Sequence, residues 1–230
     1  MPAINVQPAE QRIEVHHPET LKPLIDLVIA TLINHFPSTL SDLIKQHGSP
    51  LNLVWPHAFE LNTKALQTVL NQHNVCHAIF YGAKANKSQS MLSAAANSGI
   101  GVDVSSIHEL QAALRAGTPA AKICATGPAK TVVFHQALIS AGSLICVDSL
   151  EEFDHLKTVI ESLAAPAKAR VLLRYRPTSC PKSRFGMGFE DMLECLQRLT
   201  REPGNFHFEG FHFHLGGYGF ESRAQAFREV

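Results

Sequence analysis

Residues 144–163, LICVDSLEEFDHLKTVIESL, contain the unit that decides the fold. The four apolar residues at 144–147 are typical of a buried strand, and the chain turns polar directly after them. Ser149 is then followed by Glu151 and Glu152, which is the pattern of a capping serine with acidic residues in the first turn of a helix. The stretch therefore predicts a strand, a short turn and a helix in succession.

The same alternation of strand and helix runs through most of the chain. Apolar strand-like runs lie at 78–83, 101–104, 122–125, 144–147, 169–175 and 206–213. Helical patterns lie between them at 88–98, 106–116, 130–141, 149–163 and 190–201, and Ser106 is placed to cap the second of these helices. Strands that alternate with helices form parallel sheets, so we expect either a doubly wound sheet or a (β/α)8 barrel.

The number of strands indicates how much of a barrel the chain contains. A (β/α)8 barrel needs eight strand–helix units and about 250 residues. Six strands are predicted from residue 78 onward, and a helical pattern continues to residue 230. We therefore expect an incomplete barrel of about six strands over 51–230, with the remaining units beyond residue 230.

Residues 1–50 are expected to form an N-terminal helical extension. Apolar residues at helical spacing predict one buried face made of Leu24, Ile25, Val28, Ile29, Leu32, Ile33 and Phe36. A turn at 47–50 follows this helical part. After it, residues 51–55 are consistent with a short strand, and Asn62 is placed to cap a helix that runs to about Asn74.

Composition and charge argue against several classes of protein. Hydrophobic residues make up 45% and charged residues 17% of the chain, and the formal net charge is zero, so neither nucleic acid nor an anionic membrane is an expected partner. The five cysteines include no CxxC pair, which argues against a zinc site and favours free thiols in the cytoplasm. The N-terminus lacks the pattern of a signal peptide, and the most apolar early segment is too short to span a bilayer.

Side chains able to do chemistry stand at four of the predicted strand ends. They are Lys84, Asp103, Arg174 and the pair His212 and His214, and the glycines Gly216 and Gly217 follow the histidines. In a parallel barrel the carboxyl ends of the strands carry the active site, so these residues are expected to meet. Taken singly, the lysine could be a solvated edge residue, the aspartate a helix cap and the arginine part of an ordinary ion pair. The histidines suit either a metal ion or a ring to be stacked.

Six segments in order resemble one family of enzymes. They are FYGAKAN (80–86), GVDVSSIHEL (101–110), CATGPAK (124–130), ICVDSLEEF (145–153), SRFGM (183–187) and GFHFHLGG (210–217). Together they resemble the fold-type III pyridoxal phosphate (PLP) decarboxylases, the group that contains diaminopimelate, ornithine and arginine decarboxylases. The HxH form is closer to the diaminopimelate decarboxylase branch. The resemblance implies an α/β barrel of the alanine racemase-like type, with the C-terminal β domain of the family expected beyond residue 230.

The resemblance also implies a role for each candidate residue. Lys84 matches the lysine that forms the Schiff base with PLP, and an apolar, partly desolvated strand end is expected to hold it. His214 matches the imidazole that stacks on the pyridine ring, and His212 is its neighbour. The remaining matches are Asp103 and Arg174, which line the pocket, and Gly216 and Gly217, which fall in the phosphate loop. An amino-acid substrate and a homodimer are implied in the same way.

Some residues depart from the family pattern, and other functions remain open. Gly217 stands where the family usually has serine, Arg184 where lysine is common, and Gly82 where valine or a similar residue is typical. One alternative is a metal-dependent hydrolase on the same barrel, because HxH is a common metal pair. Another is a relative that keeps the fold but only binds a partner protein. The third is an amino-acid racemase of the same fold type.

Overall fold

The computed structural model describes residues 27–216 and 219–229, and these residues divide into two compact units between Leu53 and Val54. The first unit contains helices α1 (Leu27–His35) and α2 (Pro37–His47). The predicted buried face is not formed, because Val28, Ile33 and Phe36 are 42–55% exposed and Ile29 and Leu32 are only half-buried. Two short helices share too little surface to bury a continuous apolar face. Leu24 and Ile25 lie outside the described residues.

The second unit begins with helix α3 (Pro56–Gln72), seven residues earlier than predicted. Proline is favoured in the first turn of a helix, where its missing N–H has no intrahelical partner to lose. Asn62 therefore lies inside the helix and does not cap it, and residues 51–55 form no strand. Across the described ranges, the helices are too short or too polar for any of them to cross a membrane.

Six parallel strands follow, and they confirm the predicted barrel topology. They are β1 (Phe80–Gly82), β2 (Gly101–Val104), β3 (Ile123–Ala125), β4 (Leu144–Val147), β5 (Ala169–Arg174) and β6 (Phe206–His212). Each strand pairs with the next in sequence, so the order is β1-β2-β3-β4-β5-β6. A doubly wound sheet reverses its strand order at a switch point, whereas a barrel proceeds in one direction. The described strands therefore form an incomplete (β/α)8 barrel.

The helices that follow the strands cover the outside of this sheet. They are α4 (Gln89–Asn97), α5 (Ile107–Arg115), α6 (Val132–Ala141), α7 (Leu150–Glu161), α8 (Phe189–Arg201) and α9 (Phe220–Glu229). The core lies between the two layers, where Leu138, Ile145 and Leu156 are fully buried. Phe153 of α7 stacks on Phe206 of β6 with ring centroids 4.7 Å apart. Burying a side chain of this size stabilises the fold by about 1.5–3 kcal/mol.

Two of the helices begin with the same capping arrangement. The hydroxyl of Ser106 accepts a hydrogen bond from the N–H of Glu109, and the hydroxyl of Ser149 accepts one from the N–H of Glu152, which confirms both predicted caps. Each glutamate reaches back to the residue before its cap. Glu109 accepts from the N–H of Ser105 at 2.7 Å, and Glu152 accepts from the N–H of Asp148 at 2.7 Å. The caps therefore also fix the chain directly after β2 and β4.

A β-bulge in strand β6 decides which of its side chains face the barrel interior. The register with β5 shifts between Val171 and Leu172, because one extra residue of β6, Glu209, is inserted there. Without a bulge, side chains alternate, and His212 would share a face with the apolar Phe208. The shift places His212 opposite Arg174 instead.

Candidate active site

A pocket of about 200 Å³ lies at the carboxyl ends of the strands. Five of the seven residues singled out in the sequence line it: Lys84, Asp103, Arg174, His212 and His214. The rest of its wall is formed by Ser105, Thr126, Gly127, Pro128 and Phe185. The structure therefore brings together residues that are up to 130 positions apart in sequence, as the strand-end rule for barrels predicts.

Lys84 lies just past the end of β1, in a single 3-10 turn that spans Ala83–Ala85. Ala83 is fully buried and anchors the turn, and the hydroxyl of Tyr81 donates to the carbonyl of Asn86 at 2.9 Å. The lysine side chain itself is exposed, so the expectation of a partly desolvated lysine is wrong. Ala83 packs in the core whereas Lys84 does not, because consecutive residues of a 3-10 turn point in different directions. The amine is open to the pocket.

Asp103 supplies a buried carboxylate beside that amine. Burial raises the pKa of this carboxyl, while Thr126 and the positive charge of Lys84 act in the opposite direction. Its Oδ1 atom is buried and has no hydrogen-bond partner among the described residues. A buried oxygen without a partner is unfavourable. Asp103 therefore has an unused hydrogen-bonding position among the residues that line the pocket.

Arg174 is held by a buried ion pair. Its Nη1 atom donates to Oδ1 of Asp148 at 2.6 Å, and both side chains are less than 10% exposed. The second carboxylate oxygen accepts from the N–H of Gly186 at 3.3 Å. The guanidinium also lies over the ring of Phe185, 5.0 Å from its centroid. Asp148 thus links β4, β5 and the 183–187 segment at one wall of the pocket.

The 183–187 segment needs glycine at its fourth position. Gly186 has a φ of +80°, which side-chain-bearing residues rarely adopt. A Cβ at this position would lie 3.1 Å from the carbonyl carbon and oxygen of Tyr175. The segment approaches β5 this closely because Met187 exchanges backbone hydrogen bonds with Arg174 and Arg176. The approach is what brings Phe185 to the pocket.

The two histidines carry little positive charge in this environment. Burial, together with the positive charges of Arg174 and Lys84, lowers the pKa of His212 to about 4. The pKa of His214, which is exposed, is also lowered, first by partial burial and then by the charges of Lys84 and Arg174. Residues 27–216 and 219–229 contain no group of three or more His, Cys, Asp or Glu side chains arranged to hold a metal ion. The pair therefore presents two neutral rings to the pocket near neutral pH.

The glycines that follow the histidines do not contribute to the described pocket. Gly216 is exposed and is not among the residues that line the wall. Gly217 lies outside the described residues. Their assignment to a phosphate loop stays a prediction.

Ser105, Thr126 and Phe185 are wall residues that sequence reasoning missed. Ser105 directly follows β2 and Thr126 directly follows β3, so the rule that singled out Asp103 and Arg174 would have found them. Ser105 and Thr126 were not predicted as site residues because a hydroxyl group carries no charge that would single them out. Phe185 has no comparable signal, since it comes from a loop that folds back onto β5.

Comparison with known proteins assigns the family. The family model described as "Pyridoxal-dependent decarboxylase, pyridoxal binding domain" matches residues 58–229. An uncharacterized protein of Sinorhizobium fredii is 48% identical over 91% of this chain and 45% of its own length. The diaminopimelate decarboxylase of Zymomonas mobilis is 28% identical over 83% of this chain and 49% of its own length. The chain thus spans about half the length of the curated relatives that it matches.

Solved structures show the same fold. The diaminopimelate decarboxylase of M. jannaschii matches with a TM-score of 0.72 at 21% identity, over 82% of this chain and 48% of that chain. A variant diaminopimelate decarboxylase of Helicobacter pylori, crystallised with L-lysine, matches with a TM-score of 0.66 at 25% identity, over 77% and 47% of the two chains. The matches of sequence and fold lead to one conclusion. The chain belongs to the pyridoxal-dependent decarboxylases, and residues 58–229 are its pyridoxal-binding domain.

Proposed function

We propose that this protein decarboxylates an amino acid with PLP as its cofactor, and that the substrate is diaminopimelate or a related diamino acid. The observation that carries the proposal is the convergence of an amine, a carboxylate, a guanidinium and two imidazoles on one pocket. These groups belong to Lys84, Asp103, Arg174, His212 and His214. The diaminopimelate decarboxylases among the relatives support the substrate class.

The residues present fit the cofactor. PLP brings an aldehyde, an aromatic ring and a dianionic phosphate, and its hydroxyl and ring nitrogen can form hydrogen bonds. The amine of Lys84 is open to the pocket, and the uncharged ring of His214 can lie against an aromatic face. Oδ1 of Asp103, which is buried without a partner, is placed to accept a hydrogen bond from a bound group.

Lys84 is the residue that we assign to the covalent chemistry. Its primary amine would hold the cofactor by condensing with the aldehyde carbon, with loss of water. When bound, PLP supplies an electron sink for the pair left on the α-carbon after loss of CO2. The carboxylate of Asp103 lies close enough to interact electrostatically with Lys84, so it stabilises the protonated form of a nitrogen at that place.

The remaining wall residues orient the bound molecules. His214 would pack against the ring of the cofactor, and His212 would line the same pocket without adding a positive charge. Arg174, fixed by Asp148, would provide a positive charge that attracts the anionic groups of PLP and of the substrate. Gly216 and Gly217 are proposed to bind the phosphate through their backbone N–H groups. We further propose a homodimer, because members of this family complete the site across two subunits.

Release of CO2 tests the proposal. The purified protein, supplied with PLP, is incubated with diaminopimelate, lysine, ornithine and arginine in parallel, and CO2 is measured. We expect release from diaminopimelate or one of the other diamino acids, and none from the Lys84→Ala variant. Lys64→Ala removes an exposed lysine of α3 and serves as the matched control. Racemisation of a substrate without CO2 release would refute the decarboxylase assignment.

A further inference from the structure

A buried charged network lies behind the pocket, around the carboxylate of Glu152. Its Oε1 atom accepts from Nζ of Lys130 at 2.7 Å and contacts Nε2 of His135 at 3.1 Å. Its Oε2 atom accepts from the N–H of Asp148 at 2.7 Å. The side chains of Lys130 and His135 are each 1% exposed, and that of Glu152 is 6% exposed. None of these three side chains lines the pocket.

One arm of this network supports Arg174. Glu152 fixes the backbone of Asp148, and the carboxylate of Asp148 binds both Arg174 and the N–H of Gly186. A shift of Asp148 would therefore move the guanidinium and also the segment that carries Phe185. Both of these groups line the pocket.

The other arm supports a further part of the pocket wall. Besides Glu152, Lys130 donates to the carbonyl of Gly127 at 2.7 Å and to the carbonyl of Cys146 at 2.6 Å. Gly127 lines the pocket, and Cys146 lies in β4. The ammonium thus ties the loop after β3 to the neighbouring strand. Glu152 is the only one of these groups that connects both arms within the described part of the chain.

An earlier strand–helix unit, β2 with α5, contains a more exposed version of the same arrangement. Glu109 also accepts from the backbone before its cap and pairs with a lysine, Lys87, at 2.8 Å. The Lys87 side chain is 66% exposed, whereas that of Lys130 is 1% exposed. Helix capping alone does not require a buried lysine and a buried histidine. Buried charges are unfavourable unless their geometry is well defined, so the network around Glu152 indicates a need for fixed geometry.

We propose that Glu152 is a positioning residue of the active site, which acts through Asp148 to hold Arg174 and through Lys130 to hold the loop at Gly127. The inference rests on the proposed function, because its effect is on the binding of PLP and substrate in this pocket. In metal sites, residues that orient a ligand typically contribute about tenfold to a hundredfold to affinity or activity, and we expect an effect of that size here. The substitution Glu152→Gln tests this role with little change in size. The carboxylate of Glu152 accepts hydrogen bonds at both oxygens, whereas a carboxamide has one oxygen that accepts and one NH2 group that donates. In Glu152→Gln, the NH2 group would therefore face a second donor, either the N–H of Asp148 or the pair Lys130 and His135.

The experiment is a double-mutant cycle on cofactor affinity. PLP is titrated into the purified wild-type protein and into Glu152→Gln, Arg174→Met and the double variant, with the visible absorption band of the lysine-bound cofactor as the readout. Thermal unfolding is recorded for each protein. Glu151→Gln, an exposed neighbour on the same helix turn, is the matched control. We expect Kd to rise about tenfold or more in each single variant, and the double variant to bind nearly as well as the weaker single one.

A different outcome would overturn the inference. If the Kd of Glu152→Gln for PLP stayed within about twofold of the wild-type value, Glu152 would not act through Arg174. The same would follow if the rise in Kd of the double variant equalled the product of the rises in the two single variants. If Glu152→Gln did not fold, Asp148→Asn would replace it in the cycle, with the same expected coupling. A wild-type protein that does not bind PLP would overturn the proposed function as well. Binding by wild type with no change in Glu152→Gln would overturn the positioning role alone.

Discussion

Acidification should destabilise this protein partly through one histidine, His212. Its pKa is lowered from 6.5 to about 4 by burial and by the positive charge of Arg174 beside it. Between those two pH values the unfolded chain binds a proton that the folded protein does not bind. The free energy of unfolding therefore falls as the pH falls from about 6.5 towards 4, and this loss is absent above pH 6.5.

The size of this effect follows from the two pKa values. A tenfold difference in proton affinity corresponds to about 1.4 kcal/mol, so the contribution of His212 at pH 4 is about 3 kcal/mol relative to neutral pH. Other groups titrate in the same range, which makes the absolute pH dependence of the wild type a poor measure of His212 alone. The difference between the wild type and His212→Gln isolates it.

Urea unfolding at pH 7, 6, 5 and 4 measures that difference. We expect the stability of the wild type, relative to His212→Gln, to fall by about 3 kcal/mol between pH 7 and pH 4. His57→Gln removes an exposed histidine of α3 and controls for the loss of any imidazole. If the difference between wild type and His212→Gln stayed constant across this range, His212 would not be held neutral by its surroundings.

Two further predictions concern the stability of the segment beside the site and of the barrel core. Gly186→Ala should destabilise the protein by about 1–3 kcal/mol, because φ is positive and the new Cβ would lie 3.1 Å from the carbonyl of Tyr175. Gly117 also has a positive φ of +90°, but a Cβ added there would meet no atom within 4 Å. Gly117→Ala should therefore lower the free energy of unfolding by less than Gly186→Ala in a urea titration, and equal losses would refute the contact with Tyr175. Phe153→Ala should lower stability by about 3–5 kcal/mol, since the ring is 1% exposed. Phe227→Ala, 75% exposed, should change stability by no more than about 0.5 kcal/mol, and equal losses would argue against the described core.

The strands were readable from the sequence because each is a short apolar run between amphipathic helices. The strands at 101–104 and 144–147 have the predicted limits, and the others differ only at their ends. The position of Lys84 was less readable. The apolar residues before Lys84 predict a strand that continues up to the lysine. In the structure β1 ends at Gly82, and Lys84 lies in a 3-10 turn that follows the strand. That turn depends on local backbone geometry, which apolar periodicity does not reveal.

The supporting contacts of the site could not be predicted in the same way. Ser149 and Glu152 were identified as a helix cap, and the cap is present, but the cap pattern does not show that Glu152 also binds a lysine 22 positions earlier. Similarly, the bulge in β6 is not visible in the alternation of its residues, although it determines that His212 faces the pocket. Such contacts join elements that are distant in sequence, so they follow from the packing of the whole barrel.

The attachment of the cofactor to Lys84 is the central claim, and it can be measured directly. The protein is incubated with PLP, reduced with borohydride to make the bond permanent, digested with a protease, and analysed by mass spectrometry. Our account predicts that the pyridoxyl group is found on the peptide that carries Lys84, and that Lys84→Ala abolishes this labelling while Lys64→Ala does not. Labelling of a different lysine, or equal labelling of the Lys84→Ala variant, would contradict it.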